Sequence, residues 1–443
     1  MSATGPGVQA LAALRAGGLR GAQRLDLRGA GLTALPPEVF ALADTLEVLD
    51  LSGNQLSELP DDLHRLRRLR ILFGSDNAFT GLPAAIGACP QLEMAGFKAN
   101  RIADVPRECF RPGTALRWLI LTDNAIEALP DTLGHCTRMQ KLMLAGNRLA
   151  ALPDSLAGCE RLELLRIAAN RFEALPDWLD RLPRLSWLAC AGNPFNAALE
   201  AAALADTPIT MVPWAELTVG ERLGEGASGV IHAAQHRGAA GESAVALKLF
   251  KGEVTSDGWP LSEMAASLAA GAAPHTVRVR GRLAGHPQGT EGLVLERIGP
   301  DWRNLAGPPS LASCTRDVYA EGLRLPGAAA RAIACDIAAA VAHLHARGMV
   351  HGDLYAHNIL WRAGEALLGD FGAAALLPEA LALAVQRTES RAFGCLLEEL
   401  LAHAEVPDGR ADLTDLAALR DACLAGDPAA RPTMAQVHAR LAS

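Results

Sequence analysis

The chain has 443 residues and a formal net charge of −8 at pH 7, with no basic run, so the electrostatic footprint of nucleic-acid binding is missing. Half of its residues are hydrophobic but only 4% are aromatic, a balance that favours helices and leucine-lined coils over a β-sandwich. No run of 18 apolar residues free of charge occurs, and the start, Met1-Ser-Ala-Thr-Gly-Pro-Gly, lacks a basic region followed by an apolar one, so neither a membrane span nor a secretory signal is expected.

A short N-terminal segment, 1–19, precedes a regular array. Asparagines stand at 54, 77, 100, 124, 147, 170 and 193, in steps of 23 residues with a single step of 24. Prolines at 60, 83, 106, 130, 153 and 176 keep nearly the same step. Chance does not put two residue types on one period for so long. The unit reads LxxLxLxxNxLxxLPxxL, as in Leu46-Glu-Val-Leu-Asp-Leu-Ser-Gly-Asn54-Gln-Leu-Ser-Glu-Leu-Pro60. An earlier copy carries Gly31 where Asn belongs, the atypical unit expected at a solenoid end.

The alternation in LxLxx predicts a short strand with leucines pointing inward. Asn has both donors and an acceptor, so it can satisfy turn backbone between coils. One coil cannot bury its leucines, whereas a stack can. Residues 20–196 thus resemble a leucine-rich repeat domain, and Gly192-Asn193-Pro194-Phe195 resembles the closing turn of that family. Cys89, Cys136 and Cys159 each fall 12 residues after a repeat asparagine and are expected to be small buried positions rather than metal ligands or disulfides. Nine cysteines without a CxxC pair fit a reduced, cytoplasmic setting.

In such a fold the residues between the inward leucines face the concave side. There the sequence places Phe73, Trp118, Ile120, Met143 and Trp187, an unusually apolar set. A contiguous apolar patch marks a partner site, so these residues are expected to bind a protein or to dock the chain's own second domain. The periodicity stops after Asn196, and 197–217 reads as a short helix and an extended linker.

The remaining stretch, 218–443, carries the chemistry. Residues 223–231 contain Gly224, Gly226 and Gly229 as GxGxxG, followed two residues later by Ile231. Glycines let backbone amides approach phosphates closely. The apolar strand Ala244-Val-Ala-Leu-Lys248 ends in a lysine that needs an anion. Glu263 opens a helical stretch 15 residues later, and a Lys–Glu pair would hold the amine against α- and β-phosphates. Further on, Val350-His-Gly-Asp353-Leu-Tyr-Ala-His-Asn358 is followed 12 residues later by Asp370-Phe-Gly. Asp353 suits accepting the proton of an attacking hydroxyl. Asn358 and Asp370 suit a Mg²⁺ ion that bridges phosphates.

Together these motifs resemble a protein kinase domain. The fold class expected is an α/β leucine-rich repeat solenoid followed by an α+β two-lobed kinase-like domain that uses ATP and Mg²⁺. The resemblance implies that backbone near Glu296 and Ile298 meets adenine, with Ala246 and Leu360 sandwiching the ring. It also implies a long helix from Ala328 to Arg347, a buried helix around Ser390–Leu400 and a late arginine motif at Asp427-Pro-Ala-Ala-Arg431.

The pattern departs from that family in four places. Gly352 replaces the arginine that reads a phosphorylated activation loop. The segment after Gly372 is very short, with Leu377-Pro378-Glu379 the nearest match to the motif that usually closes it. Glu389 stands where Asp usually opens the buried helix. Tyr355 replaces a lysine near the γ-phosphate, and His357 stands where tyrosine kinases use arginine. Losing one transition-state donor costs on the order of 10²–10³ in rate. Three readings follow: a protein kinase acting on Ser/Thr, an inactive or weakly active scaffold, or a small-molecule phosphotransferase, since His-Gly-Asp-Leu with Asn-Ile-Leu also resembles those enzymes.

Overall fold

The computed structural model describes residues 5–239, 241–252, 254–405 and 411–442, so the first four residues of the N-terminal stretch lie outside it. The chain divides into two compact units. One runs to Arg166 and resumes over Asn170–Leu182; the other comprises Ile167–Ala169 and Pro183–Ser443.

The first unit opens with helix α1 (Pro6–Arg15), which buries Leu11 and Leu14 beside the first coil. Three-residue strands follow at the repeat interval: β1 (Arg24–Asp26), β2 (Val48–Asp50), β3 (Ile71–Phe73), β4 (Met94–Gly96), β5 (Trp118–Ile120), β6 (Lys141–Met143) and β7 (Leu164–Arg166). Each pairs in parallel and in register with the next. The central residue of each strand is fully buried, from Leu25 through Leu49, Leu72, Ala95, Leu119 and Leu142 to Leu165. Return turns such as Asp131–His135 start immediately after the repeat prolines, whose fixed φ suits a helical entry.

The asparagines do the expected work. Asn147 Oδ1 accepts from the Ile126 amide at 3.1 Å, and its Nδ2 donates to the Leu121 and Leu144 carbonyls at 2.9 Å each. These backbone groups lie where no strand partner reaches, so the side chain replaces a missing ladder bond. Cys136 and Cys159 are buried, and burial pushes their thiols up to about 12 and about 11. Cys89 is buried too and pushed up to about 12.

The second unit begins with one more repeat strand, β8 (Trp187–Ala189), and helix α2 (Pro194–Asp206). The stretch 197–217, read as short helix and linker, is only partly that. It continues α2 and then forms β9 (Met211–Pro213), which joins the small-lobe sheet by parallel pairing of Met211 with Arg282. The pairing is close: a Cβ on Gly281 would meet the Thr210 carbonyl at 2.7 Å. The other strands are β10 (Leu217–Glu225), β11 (Gly229–Gly238), β12 (Gly241–Phe250), β13 (Val279–Ala284) and β14 (Gly292–Glu296), ordered β10-β11-β12-β14-β13-β9. Helix α3 (Pro260–Ala270) lies between β12 and β13 in the chain.

The large lobe holds β15 (Arg303–Asn304), β16 (Leu325–Pro326), α4 (Gly327–Ala346), β17 (Met349–Val350), β18 (Ile359–Arg362), β19 (Glu365–Leu368), β20 (Ala375–Leu376), α5 (Glu379–His403), β21 (Ala404–Glu405), α6 (Ala411–Cys423) and α7 (Met434–Ala442). Helix α4 matches the expected long helix. Among the described residues it alone is long and apolar enough to cross a membrane, yet Ile333, Ile337, Val341 and Leu344 are buried in the lobe. The buried helix begins earlier than expected, at Glu379 rather than near Glu389, because Pro378 starts a continuous helix directly after β20.

Replacing Asn147 by Ala orphans three buried backbone groups and is expected to cost roughly 2–4 kcal/mol. A urea titration followed by circular dichroism measures it; an unchanged midpoint would count against the ladder.

Candidate active site

The glycine loop is the turn between β10 and β11, closed by the Gly226 amide donating to the Gly229 carbonyl at 2.9 Å. Gly224 and Gly226 face open space, whereas a Cβ on Gly229 would lie 2.6 Å from the Leu249 carbonyl and 3.4 Å from Lys248 Cε. Gly229 is therefore required for β11 to close onto β12. Ile231 stands directly opposite Lys248 in that pair.

Lys248 and Glu263 form a buried ion pair. The strand supplies the amine and the first turn of α3 supplies the carboxylate. Burial raises the Glu263 carboxyl above the usual range, against the pull of Lys248 and with the help of the nearby Asp370 charge. Ala246 is buried opposite Leu295, and Glu296 ends β14 opposite Val245, with its amide donating to the Arg278 carbonyl at 2.8 Å. Ile298 follows on the segment leading to the large lobe. Leu360 lies half-buried in β18.

The catalytic loop leaves β17 and is fastened from below by α5. Glu389 accepts from the Gly352 amide at 2.7 Å, the His351 amide at 3.1 Å and His345 Nε2 at 2.8 Å. The extra methylene relative to Asp lets it reach the loop from mid-helix. Burial works against its charge, but the His345 hydrogen bond and charge, together with His351 and the Gly352 amide, outweigh that and hold its carboxyl below the usual range. His351 Nε2 lies 2.8 Å from the Gly369 carbonyl, tying the loop to Asp370.

Asn358 Nδ2 donates to the Asp353 carbonyl at 2.9 Å and to Asp353 Oδ2 at 2.8 Å. That commits the nitrogen and leaves the carboxamide oxygen for a cation. Asp370 adopts φ 51°, a left-handed conformation that Asp tolerates, steadied by the Gly372 amide at 3.1 Å from its Oδ1. A carboxylate and a carboxamide oxygen are hard donors and fit Mg²⁺. Among the described residues no cluster of three or more His, Cys, Asp or Glu suited to a metal occurs, so a cation here would rest on these two side chains and on its own phosphate ligands.

Gly352 has φ 73°, and a Cβ there would lie 2.5 Å from the Ala373 carbonyl and 2.7 Å from the Leu188 carbonyl. An arginine has no room, because β8 and the backbone after Gly372 converge on this residue. After Gly372 the chain forms only β20, paired with β17, before α5 begins.

Trp187 does not serve an external partner. It is 1% exposed, stacks on Tyr355 at 4.2 Å with 7° between planes, and donates from Nε1 to the Leu354 carbonyl at 2.9 Å. Of the two expectations for the apolar concave set, Trp187 fulfils docking to the second domain. Ser186 and Pro183 add contacts, accepting from Arg391 at 2.7 Å and from Arg431 at 2.8 Å. Phe73, Trp118, Ile120 and Met143 remain half-buried in the first unit, where the Trp118 indole lies 3.4 Å from Met143 Sδ and 4.3 Å from Lys141 Nζ.

One further acid, Asp317, faces the catalytic loop. Its carboxylate accepts from the His357 amide at 2.9 Å and lies 2.8 Å from His357 Nδ1. Burial disfavours the imidazolium, but Asp317, Asp353 and Asp370 together raise the His357 pKa above its usual value. Asp317 sits in an irregular stretch 40 residues upstream, with no motif to mark it.

Comparison with known proteins agrees with the two halves. The profile for "Protein kinase domain" matches residues 217–392, and that for "Leucine rich repeat" matches 20–84. Leucine-rich repeat-containing protein 7 of Rattus norvegicus is 39% identical over 69 residues, 16% of this chain and 5% of that protein. Its Homo sapiens counterpart is equally similar over the same length. A cyclin-dependent-kinase-like protein, F-2, of Oryza sativa subsp. japonica is 28% identical over 225 residues, 44% of this chain. This chain spans 64% of the length of that rice protein.

Glu389→Gln places an amide donor against backbone amides and is expected to cost roughly 3 kcal/mol. Because the folded pKa of Glu389 is depressed, its contribution is complete above the ordinary value of about 4.5 and is lost as pH falls through the lower folded value. Urea midpoints from pH 3 to pH 7 test both points. The variant should lose the acid-side slope that this residue supplies.

Proposed function

We propose that this chain, in which leucine-rich repeats and a protein kinase domain are fused, transfers the γ-phosphoryl group of ATP to a Ser or Thr hydroxyl of a protein captured by the repeats. The observation that carries this reading is the formed Lys248–Glu263 pair together with Asp353 braced by Asn358. Desolvating such a pair is costly, and in this reading the cost is met because an aligned amine is needed at the phosphates.

The roles follow from chemistry. The amides around Gly224, Gly226 and Gly229 cover the phosphates, with Ile231, Ala246 and Leu360 against the adenine ring. Backbone at Glu296 and Ile298 meets the base edge. Lys248 neutralises the α- and β-phosphates, and Glu263 keeps it aimed. Asn358 and Asp370 would hold Mg²⁺, which when bound neutralises charge developing on the phosphate oxygens. Asp353 orients the acceptor hydroxyl and takes its proton as the new O–P bond forms and the bond to ADP breaks. Tyr355 brings no cation to this site. His357, polarised by Asp317, is the nearest replacement.

Phe73, Trp118, Ile120 and Met143 are our candidates for the protein-binding face. Nine thiols and no disulfide among the described residues support a cytoplasmic setting.

Incubation with Mg-ATP and phosphosite mapping is expected to reveal Ser and Thr phosphorylation that vanishes in Asp370→Asn, an isosteric change compatible with the left-handed backbone. Nucleotide binding without transfer would favour the scaffold, and transfer only to small hydroxyl compounds would favour the third reading. Paired Phe73→Glu and Trp118→Glu should raise KM for the protein acceptor about tenfold and leave KM for ATP unchanged. Equal effects on both constants would remove the repeats from acceptor recognition.

A further inference from the structure

The placement of α3 decides whether Glu263 meets Lys248, and something must hold it there. In this chain the segment after Asp370-Phe-Gly is too short to do so by rearranging. Helix α2 packs directly on α3. Glu200 of α2 bridges two points: its Oε2 accepts from Ser262 Oγ at 2.8 Å and its Oε1 accepts from the Gly192 amide at 2.7 Å. Ser262 is 4% exposed and immediately precedes Glu263.

The anchor at the other end is rigid. Gly192 has φ 71°, and a Cβ there would lie 3.1 Å from Trp259 Cδ1 and 3.2 Å from Ser262 Oγ. Trp259 is the residue that opens α3. Asn193 and Asn196 form a reciprocal cap at the start of α2. Apolar packing runs alongside, with Leu204 and Ile209 against a cluster of Met264, Leu268, Phe250 and Leu293. The Glu200 carboxylate is thus held by the closing turn of the repeats and grips the first turn of α3.

We propose that Glu200 is a positioning residue: through Ser262 it holds the first turn of α3 so that the Lys248–Glu263 pair stays formed before nucleotide arrives. The closing turn of the repeats thereby acts as a built-in activator, a role that rests on the kinase reading for its consequence but not for its geometry. A carboxylate serves as one acceptor for each donor. Glu200→Gln keeps both links, since the amide nitrogen can donate to Ser262 Oγ; Glu200→Ala keeps neither.

The test reads the pair itself in the full chain. A small N-hydroxysuccinimide ester acylates lysines, and mass spectrometry gives the rate at Lys248 relative to exposed Lys98. Losing one hydrogen bond to a charged group corresponds to about a tenfold change in an opening equilibrium. Glu200→Ala and Ser262→Ala are expected to raise Lys248 labelling about that much, with Lys98 unchanged and Glu200→Gln near the parent. KM for ATP should rise in the two Ala variants while KM for a protein acceptor stays put, a split that a general loss of stability does not produce. Lys248 labelling unchanged in both Ala variants overturns the proposal, and so does Glu200→Gln labelling as fast as Glu200→Ala. If Glu200→Ala does not fold, Ser262→Ala decides alone. A parent protein that transfers no phosphate defeats the kinase reading, while the labelling still decides this one.

Discussion

Two carbonyl oxygens, of Leu188 and Ala373, close on Gly352 from different directions and leave no space for a side chain. Much of the catalytic half is arranged around that contact. It admits only glycine, so the phosphate-reading arginine of the wider kinase pattern is absent for a steric reason. It also sets β8 against the catalytic loop, which seats Trp187 on Tyr355 and its indole N–H on the Leu354 carbonyl. Glu389 then fastens the same loop from α5 through the Gly352 amide. A loop held on both sides by repeat backbone and a buried carboxylate does not require a long activation segment to order it.

Two buried glutamates show how environment assigns roles to one residue type. Glu389 collects two backbone amides and a histidine, and these donors outweigh its burial and keep it ionised. Glu263 has one strong partner, Lys248, and a neighbouring like charge in Asp370, so burial prevails and its carboxyl is raised. The first is a fastener whose charge is fully compensated. The second has a single cation to offset both its burial and the nearby Asp370 charge.

Much of this was legible from residue order. The repeat asparagines, the inward leucines and the buried cysteines follow from a period, because each coil solves the same hydrogen-bonding and burial problem locally. That Lys248 pairs with Glu263 was legible too, from the spacing of a strand-end lysine and a helix-opening acid. Asp317 and Glu200 were not. Each acts on a residue 40 or more positions away, through a loop or helix face whose sequence has no pattern of its own. Nor was the start of α5, because Pro378 reads equally as the end of a loop and as the first step of a helix.

The sequence by itself determined the two architectures, the strand register of the solenoid and the pairing of Lys248 with Glu263. Local periodicity and fixed spacings carry that information, and burial enforces it. Only the tertiary structure decided what the last coil does. Trp187 looked like one more member of an apolar concave row, yet it is spent on Tyr355, while Phe73, Trp118, Ile120 and Met143 remain half-buried. Nothing in its own repeat distinguishes it, since the difference lies in the surface that covers it. Gly352 likewise reads as a missing arginine until the Leu188 carbonyl is seen beside it. Such contacts join residues more than 160 positions apart, and steric exclusion at that separation leaves no trace in a local pattern.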